Sequence, residues 1–165
     1  MEAEILADYI VKKCVKDNYL ITSTDIQSIL YFIQIAYLHK KGFPAFYDDF
    51  CTWRSGPVIP SVYYRYQSFG IGPVSYSYGR SEDGISDSGK AFIDPVIEEV
   101  RQMRPWDIEK DVKREGGAWQ KSRDVCCSVN KDMNIISKKM IKAEHSKILD
   151  DIEKSLSLKI DKETA

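Results

Sequence analysis

Histidine is nearly absent from this chain of 165 residues. The two present, His39 and His145, have neither H-E-x-x-H nor H-x-x-C company, so nothing in the spacing announces a zinc site. Each sits among lysines at a helical position and reads as a solvated surface side chain. Cysteine is scarce as well. Cys14, Cys51, Cys126 and Cys127 show neither a C-x-x-C spacing nor a secreted disulfide rhythm. Cys14 and Cys51 read as small core residues. The adjacent Cys126 and Cys127 read as two side chains on different faces rather than as a redox pair. No apolar run approaches the ~20 residues of a membrane span. The acidic, amphipathic start MEAEILADYIVKK is not a signal peptide, and the expected location is the cytoplasm. The formal net charge of -1 gives no basic excess for nucleic acid and no acidic excess for a DNA mimic.

Catalytic patterns are missing too. There is no G-x-S-x-G, no phosphate-binding loop and no G-x-G-x-x-G. The glycines at 70, 72, 79, 84 and 89 are spaced as turn formers. The carboxylate pairs Asp48–Asp49 and Asp150–Asp151 are sequence neighbours, which point apart in a strand or a helix, whereas acid/base work needs carboxylates that face one another. The expectation is a protein that is not an enzyme and takes no cofactor, metal or small-molecule substrate.

What the sequence does contain is helix, tyrosine and one dense segment. The length suits a single domain, expected over residues 1–160 with a frayed tail at 161–165. Residues 2–17 alternate as an amphipathic helix that Asn18 breaks. A second helix starts at Thr22 to Thr24, which supply caps, and runs to about Lys41. Ile26, Ile29, Leu30, Ile33 and Tyr37 form its stripe, but Tyr31, Phe32, Ile35 and Leu38 lie off it. A helix apolar on most of its circumference belongs in the middle of a domain. The expected fold is therefore mainly α, a compact helical domain around this central apolar helix, with a small β-hairpin or extended segments inserted.

Between Gly42 and Gly70 the pattern changes. Residues 48–53 read as extended, Ser55-Gly56-Pro57 as a turn, and Pro60 as the first residue of a third helix carrying Val62, Tyr63, Tyr66 and Phe69. The alternation of Pro73 to Tyr78 suggests the hairpin. A fourth helix is expected from Ser86 or Asp87 to about Met103, with Pro95 kinking it or delaying its start. A fifth covers Pro105 to Glu115. Residues 118–132 carry no clear pattern, and one long final helix is expected from Ser137 to about Leu158.

Two binding modes compete. A helix, a turn at Tyr19 to Thr22 and a second helix could form a helix-turn-helix, but a recognition helix must show polar side chains to base edges, and this one is apolar nearly all round. The basic patch Lys138, Lys139 and Lys142 is balanced by Asp150, Asp151 and Glu153. By contrast, Tyr63, Tyr64 and Tyr66 cover more than one face of a short helix beside Arg54 and Arg65, the composition of a protein interface.

Three stretches, ADYIVKK, ITSTDIQSILYFIQIAYL and KGFPAFYDDFCTWRSGPVIPSVYYRYQSFG, resemble the Panacea antitoxin domain, also described as SocA-like or phage-associated GepA-like. Leu30, Tyr31, Phe32, Gln34, Tyr37 and Leu38 match that family's second helix. Phe50, Trp53, Gly56, Pro57, Val58, Pro60 and Tyr63 match its F-x-A-W-x-x-G-P-V-x-P-x-x-Y segment. The likeness covers residues 3–70 and continues weakly through GAWQKSR, Gly117 to Arg123. Two departures stand out. DVKREGGAW lacks the histidine usual before the late tryptophan, and Gln27-Ser28 replace a basic residue in the first turn of the second helix.

The resemblance implies a mainly helical domain that neutralises a toxin by direct binding. Members pair with chemically diverse toxins, one characterised type delivers its toxin to a protease as an adaptor, and members occur on phages and prophages. On this reading Trp53, Gly56, Pro57, Pro60 and Tyr63 form a rigid structural bracket anchored on the central helix, and Arg54, Tyr64, Arg65 and Tyr66 are its candidate contacts with the partner. The alternatives are a phage- or prophage-encoded inhibitor of a host defence protein and a DNA-binding transcriptional autoregulator.

Overall fold

The computed structural model describes residues 1–80, 84–125 and 129–164. Eight helices and a small antiparallel sheet make it mainly α with minor β among these residues. The helices are α1 (Ala3–Lys16), α2 (Ser23–Lys40), α3 (Pro60–Tyr66), α4 (Asp87–Arg101), α5 (Pro105–Val112), α6 (Ala118–Arg123), α7 (Lys138–Lys142) and α8 (Lys147–Thr164). The strands are β1 (Phe50–Trp53), β2 (Gly56–Val58) and β3 (Ile135–Ile136), in the order β2-β1-β3.

α2 is the centre of the molecule. It starts at a capping box in which Thr22 accepts from the Asp25 N–H and the Asp25 carboxylate accepts from the Thr22 N–H at 2.8 Å. From Ile26 to Leu38 all but one of its residues are buried. Its whole circumference is covered because α1, α3, α4, α7 and α8 all pack against it. α1 ends where Asn18 takes a left-handed backbone (φ 54) that continues no helix. Pro60 and Pro105 each open a helix at a position where no N–H is needed.

Several expectations are corrected. The hairpin is not at residues 73–78. It lies at β1–β2, with Cys51 opposite Val58 and Trp53 opposite Gly56. The alternation after Pro73 does not persist in burial either, since Val74 is buried while Tyr76 and Tyr78, two and four residues on, are exposed. The segment finds no ladder beyond a single bridge from Pro73 to Thr22, and its tyrosines pack on Phe69 instead. The turn falls at Arg54-Ser55, and Gly56-Pro57 begin β2. Pro95 lies inside α4 without delaying its start at the Ser86 cap.

The long final helix is broken into α7 and α8. Glu144 turns inward at the break, where its carboxylate accepts from the Ala118 N–H at 2.8 Å and pairs with Arg114 at 3.0 Å. Ser146 then caps α8 by accepting from the Leu149 N–H at 3.2 Å. Residues 161–164, expected as a tail, form the last turn of α8. β3, unforeseen, completes the sheet by pairing Ile136 with Phe50. Cys126 and Cys127 lie outside the described residues.

Candidate protein-binding site

Two glutamines of α2 build the bracket. Gln34 donates to the Phe46 carbonyl at 2.9 Å and accepts from the Ala45 N–H at 2.8 Å. Gln27 donates to the Ile59 carbonyl at 3.2 Å and accepts from the Ile59 N–H at 2.9 Å. Seven residues apart, they share one face of α2, and each amide acts as a piece of strand edge for the incoming chain. The β1–β2 hairpin is thereby pinned at both ends. Gln27, noted in the sequence only as a departure from the family pattern, is a structural clamp.

The other side of the hairpin is held by the C-terminal half. Trp119 of α6 donates from Nε1 to the Trp53 carbonyl at 3.0 Å. Arg123 donates to the Thr52 carbonyl and pairs with Asp132 at 2.6 Å. Thr52 donates from Oγ1 to the Lys131 carbonyl at 2.6 Å. The weak match at Gly117 to Arg123 is therefore in direct contact with the strong match at Phe50 to Tyr63. Sequence reading kept them apart because 66 residues separate Trp53 from Trp119.

Trp53 is half-buried and stacks edge-on against Tyr63 at 4.8 Å, and Tyr63 meets Tyr64 at 5.4 Å. Tyr64 is 59% exposed, Tyr63 is also exposed, and Arg54 stands exposed at the hairpin tip without an ion pair among the described residues. Lys113 and Arg123 lie 5.3 and 5.5 Å from the Trp119 ring. Trp53, Tyr63 and Tyr64 thus form an aromatic face, and Trp119, with its two cations, is tied to it through the Trp53 carbonyl.

Two expected contacts do not belong to that face. Tyr66 is 0% exposed and donates to Asp8 at 2.5 Å. Arg65 grips the same carboxylate with two bonds of 2.7 and 2.8 Å. Asp8 is 6% exposed, so its charge needs both partners. Burial, then the hydrogen bond to Asp8, pushes the Tyr66 hydroxyl well above the ordinary tyrosine range. Gly79 closes the site, since a Cβ there would stand 2.6 Å from the Asp8 Cβ. Arg65 and Tyr66 lock α3 to α1 and offer a partner little.

One histidine also differs from expectation, while His145 is exposed as expected. His39 is no solvated side chain. Nδ1 lies 2.6 Å from Glu153 and Nε2 lies 2.8 Å from the Lys142 carbonyl, so one ring ties α2 to both α7 and α8. His145 lies in the break between α7 and α8, its ring 5.5 Å from that of His39.

A cavity of about 100 Å³ opens between the first turns of α2, the hairpin and α5. Tyr31, Pro57, Tyr63 and Ile108 supply apolar wall, and Ser28 and Ser55 bring hydroxyls. Tyr31 is 1% exposed, and its hydroxyl is the one buried side-chain polar atom without a partner among the described residues. Burial, then the nearby Glu144 carboxylate, raises its pKa well above the ordinary value and keeps it neutral. Among the described residues no three His, Cys, Asp or Glu side chains gather as a metal site, and no helix is long and apolar enough to cross a membrane.

A family model described as antitoxin SocA-like, Panacea domain, matches residues 26–120. The match runs from the first turn of α2 into α6, and so contains Trp53 to Tyr63, Trp119 and most of the cavity lining, with Ser23, Thr24 and Asp25 just outside it. No curated protein and no solved structure matches the chain.

Proposed function

The chain belongs to the SocA-like Panacea antitoxin family, and from that premise we propose that it neutralises a toxin by binding it directly, through the aromatic face of the bracket. One observation carries the reading. Arg54 and Tyr64 are exposed on a frame that Gln27, Gln34, Trp119 and Arg123 hold rigid, and neither does work inside the fold. A pre-organised aromatic surface with a free arginine is what a tight protein interface requires. The protein acts without catalysis, in the cytoplasm, and needs no cofactor.

A phage-encoded inhibitor of a host defence protein would use the same face, so the partner decides between the two. An autoregulator reading DNA through α2 has less support, because that helix is buried on all sides.

The test is co-expression with the product of the neighbouring gene, followed by growth measurement, affinity capture and sizing. Rescue of growth with a stable stoichiometric complex is the expected outcome. A host nuclease or other defence protein captured instead would move the assignment to the inhibitor. Unrescued growth with no complex would remove the antitoxin reading.

A further inference from the structure

Between Arg65 and Arg80 the chain runs for fourteen residues without a charged side chain, although charged residues make up 30% of the sequence. It carries tyrosine, serine and glycine around Phe69 and Ile71. That is the composition of antibody binding loops, where tyrosine supplies rigid amphipathic contact and serine adaptable hydrogen bonds. Gly70 takes φ 57, a backbone that glycine adopts readily and other residues do not. Ile71, which follows it, is 101% exposed, and Tyr76 and Tyr78 are exposed as well. Leu20, 77% exposed, stands beside this loop, because its neighbour Ile21 accepts from the Val74 N–H at 2.8 Å.

The loop is held in shape. The Gly70 N–H donates to the Gln67 carbonyl at 3.0 Å and the Gly72 N–H to the Phe69 carbonyl at 3.1 Å. The Phe69 ring meets that of Tyr76 at 4.9 Å, and Ser68 and Tyr78 share a hydrogen bond of 2.9 Å. Side chains fixed in this way lose little freedom on binding. Arg65, whose guanidinium lies 5.8 Å from the Tyr78 ring, is spent on Asp8. Charge resumes along the chain only at Arg80, beyond Tyr78.

The aromatic face of the bracket is small. Arg54, Tyr63 and Tyr64 are three side chains, whereas a stable interface uses about 20–30 residues a side. Ser68, four residues on from Tyr64, bonds to Tyr78, so the uncharged loop continues that face. Single apolar side chains are ordinary on a surface. Here Ile71 and Tyr76 share one pinned loop with Leu20 alongside, and no charge accompanies the loop. A charged surface set against it would lose its hydration and find nothing to pair with.

We propose that the partner's footprint extends from Tyr64 across this loop, and that the partner meets the loop with an uncharged, apolar surface that receives Ile71. This rests on the protein-binding reading above and names the chemistry of what is bound.

Charges of both signs at one position test it. Ile71→Asp and Ile71→Lys are carried through the capture experiment with the product of the neighbouring gene. Full exposure of Ile71 leaves the melting temperature unchanged in both. Both should weaken the complex about tenfold or more, the scale of a residue central to an interface, while Ile71→Leu should keep it.

Weakening by one sign alone would show a charged partner surface and overturn the proposal. Capture by both charged variants as tight as by the wild type would remove the loop from the footprint and leave the antitoxin reading standing. So would a wild-type protein that self-associates and becomes monomeric on Ile71→Asp with capture unchanged, since the loop then belongs to a second copy. A wild type that captures nothing and rescues no growth removes the antitoxin reading, and the proposal with it.

Discussion

A buried glutamine is costly unless both ends of its amide are used. Gln27 and Gln34 use both ends, each on backbone groups of the chain that enters or leaves the hairpin. Replacing Gln27 with Ala strands the Ile59 N–H in the core, while the Ile59 carbonyl keeps its bond from the Tyr63 N–H at 3.1 Å. It should lower the unfolding free energy by about 1–3 kcal/mol, measured by urea denaturation. A loss under about 0.5 kcal/mol would mean that water takes over the Ile59 N–H and that the clamp is dispensable. Tyr64 sits on the other side of this division. Tyr64→Ala should leave the melt within about 0.5 kcal/mol of wild type while weakening capture of the partner. If Tyr64→Ala unfolds the protein, the exposed tyrosine is part of the core and the face is misassigned.

Among the elements, the hairpin depends on one backbone angle. Gly56 has φ 133, a conformation that side chains rarely adopt, although a Cβ there would meet no neighbouring atom. The requirement is conformational rather than steric. Gly56→Ala should cost about 1–3 kcal/mol. It should act on the bracket before the rest, so hydrogen exchange at Cys51 to Val58 should quicken more than exchange in α2. Uniform acceleration would show that hairpin and core open together. The α7–α8 break is an element-scale device of another kind. A continuous helix would carry Glu144 past the Ala118 N–H and leave the start of α6 unsatisfied.

Across the whole molecule, charge ties the helices where the core ends. Arg101 of α4 bonds to Asp17 at 2.7 Å, and Lys13 reaches the same carboxylate at 3.2 Å. These partners, Arg101 first, hold the Asp17 carboxyl below its ordinary value of 3.8. A depressed carboxylate stabilises the fold above its unfolded value and loses that contribution as pH falls through the folded one. The stability difference between wild type and Asp17→Asn should therefore be constant near neutrality and shrink below about pH 3.8. A difference that does not change with pH would deny Asp17 its ionic role.

Compactness has a chemical reading as well. Burial pushes the Cys14 and Cys51 thiols above their usual range. Both should resist iodoacetamide in the native protein and react once urea unfolds it, as read by site-resolved mass spectrometry. Labelling of either in the native state would show the core open there.

Helix content, the central place of α2 and the start of α3 at Pro60 were legible because they follow from local quantities. These are the circumference over which α2 is apolar, the Thr22–Asp25 cap and a proline that fits a first turn. Trp53, Gly56 and Tyr63 were legible as one motif for the same reason, since they lie within eleven residues of one another. The sequence by itself determined the first five helices and the family, because caps, turns and periodicity act over a few residues, whereas β3 and the break between α7 and α8 depend on contacts with distant segments. Only the tertiary structure decided what each polar side chain is for. Arg65 and Tyr66 face inward because Asp8, buried on α1, needs two donors. Gln27 is a clamp because Ile59 passes beside it. Trp119 joins the site because α6 packs under the hairpin. Burial and partner are properties of contacts between distant segments, and no local pattern in the chain encodes them.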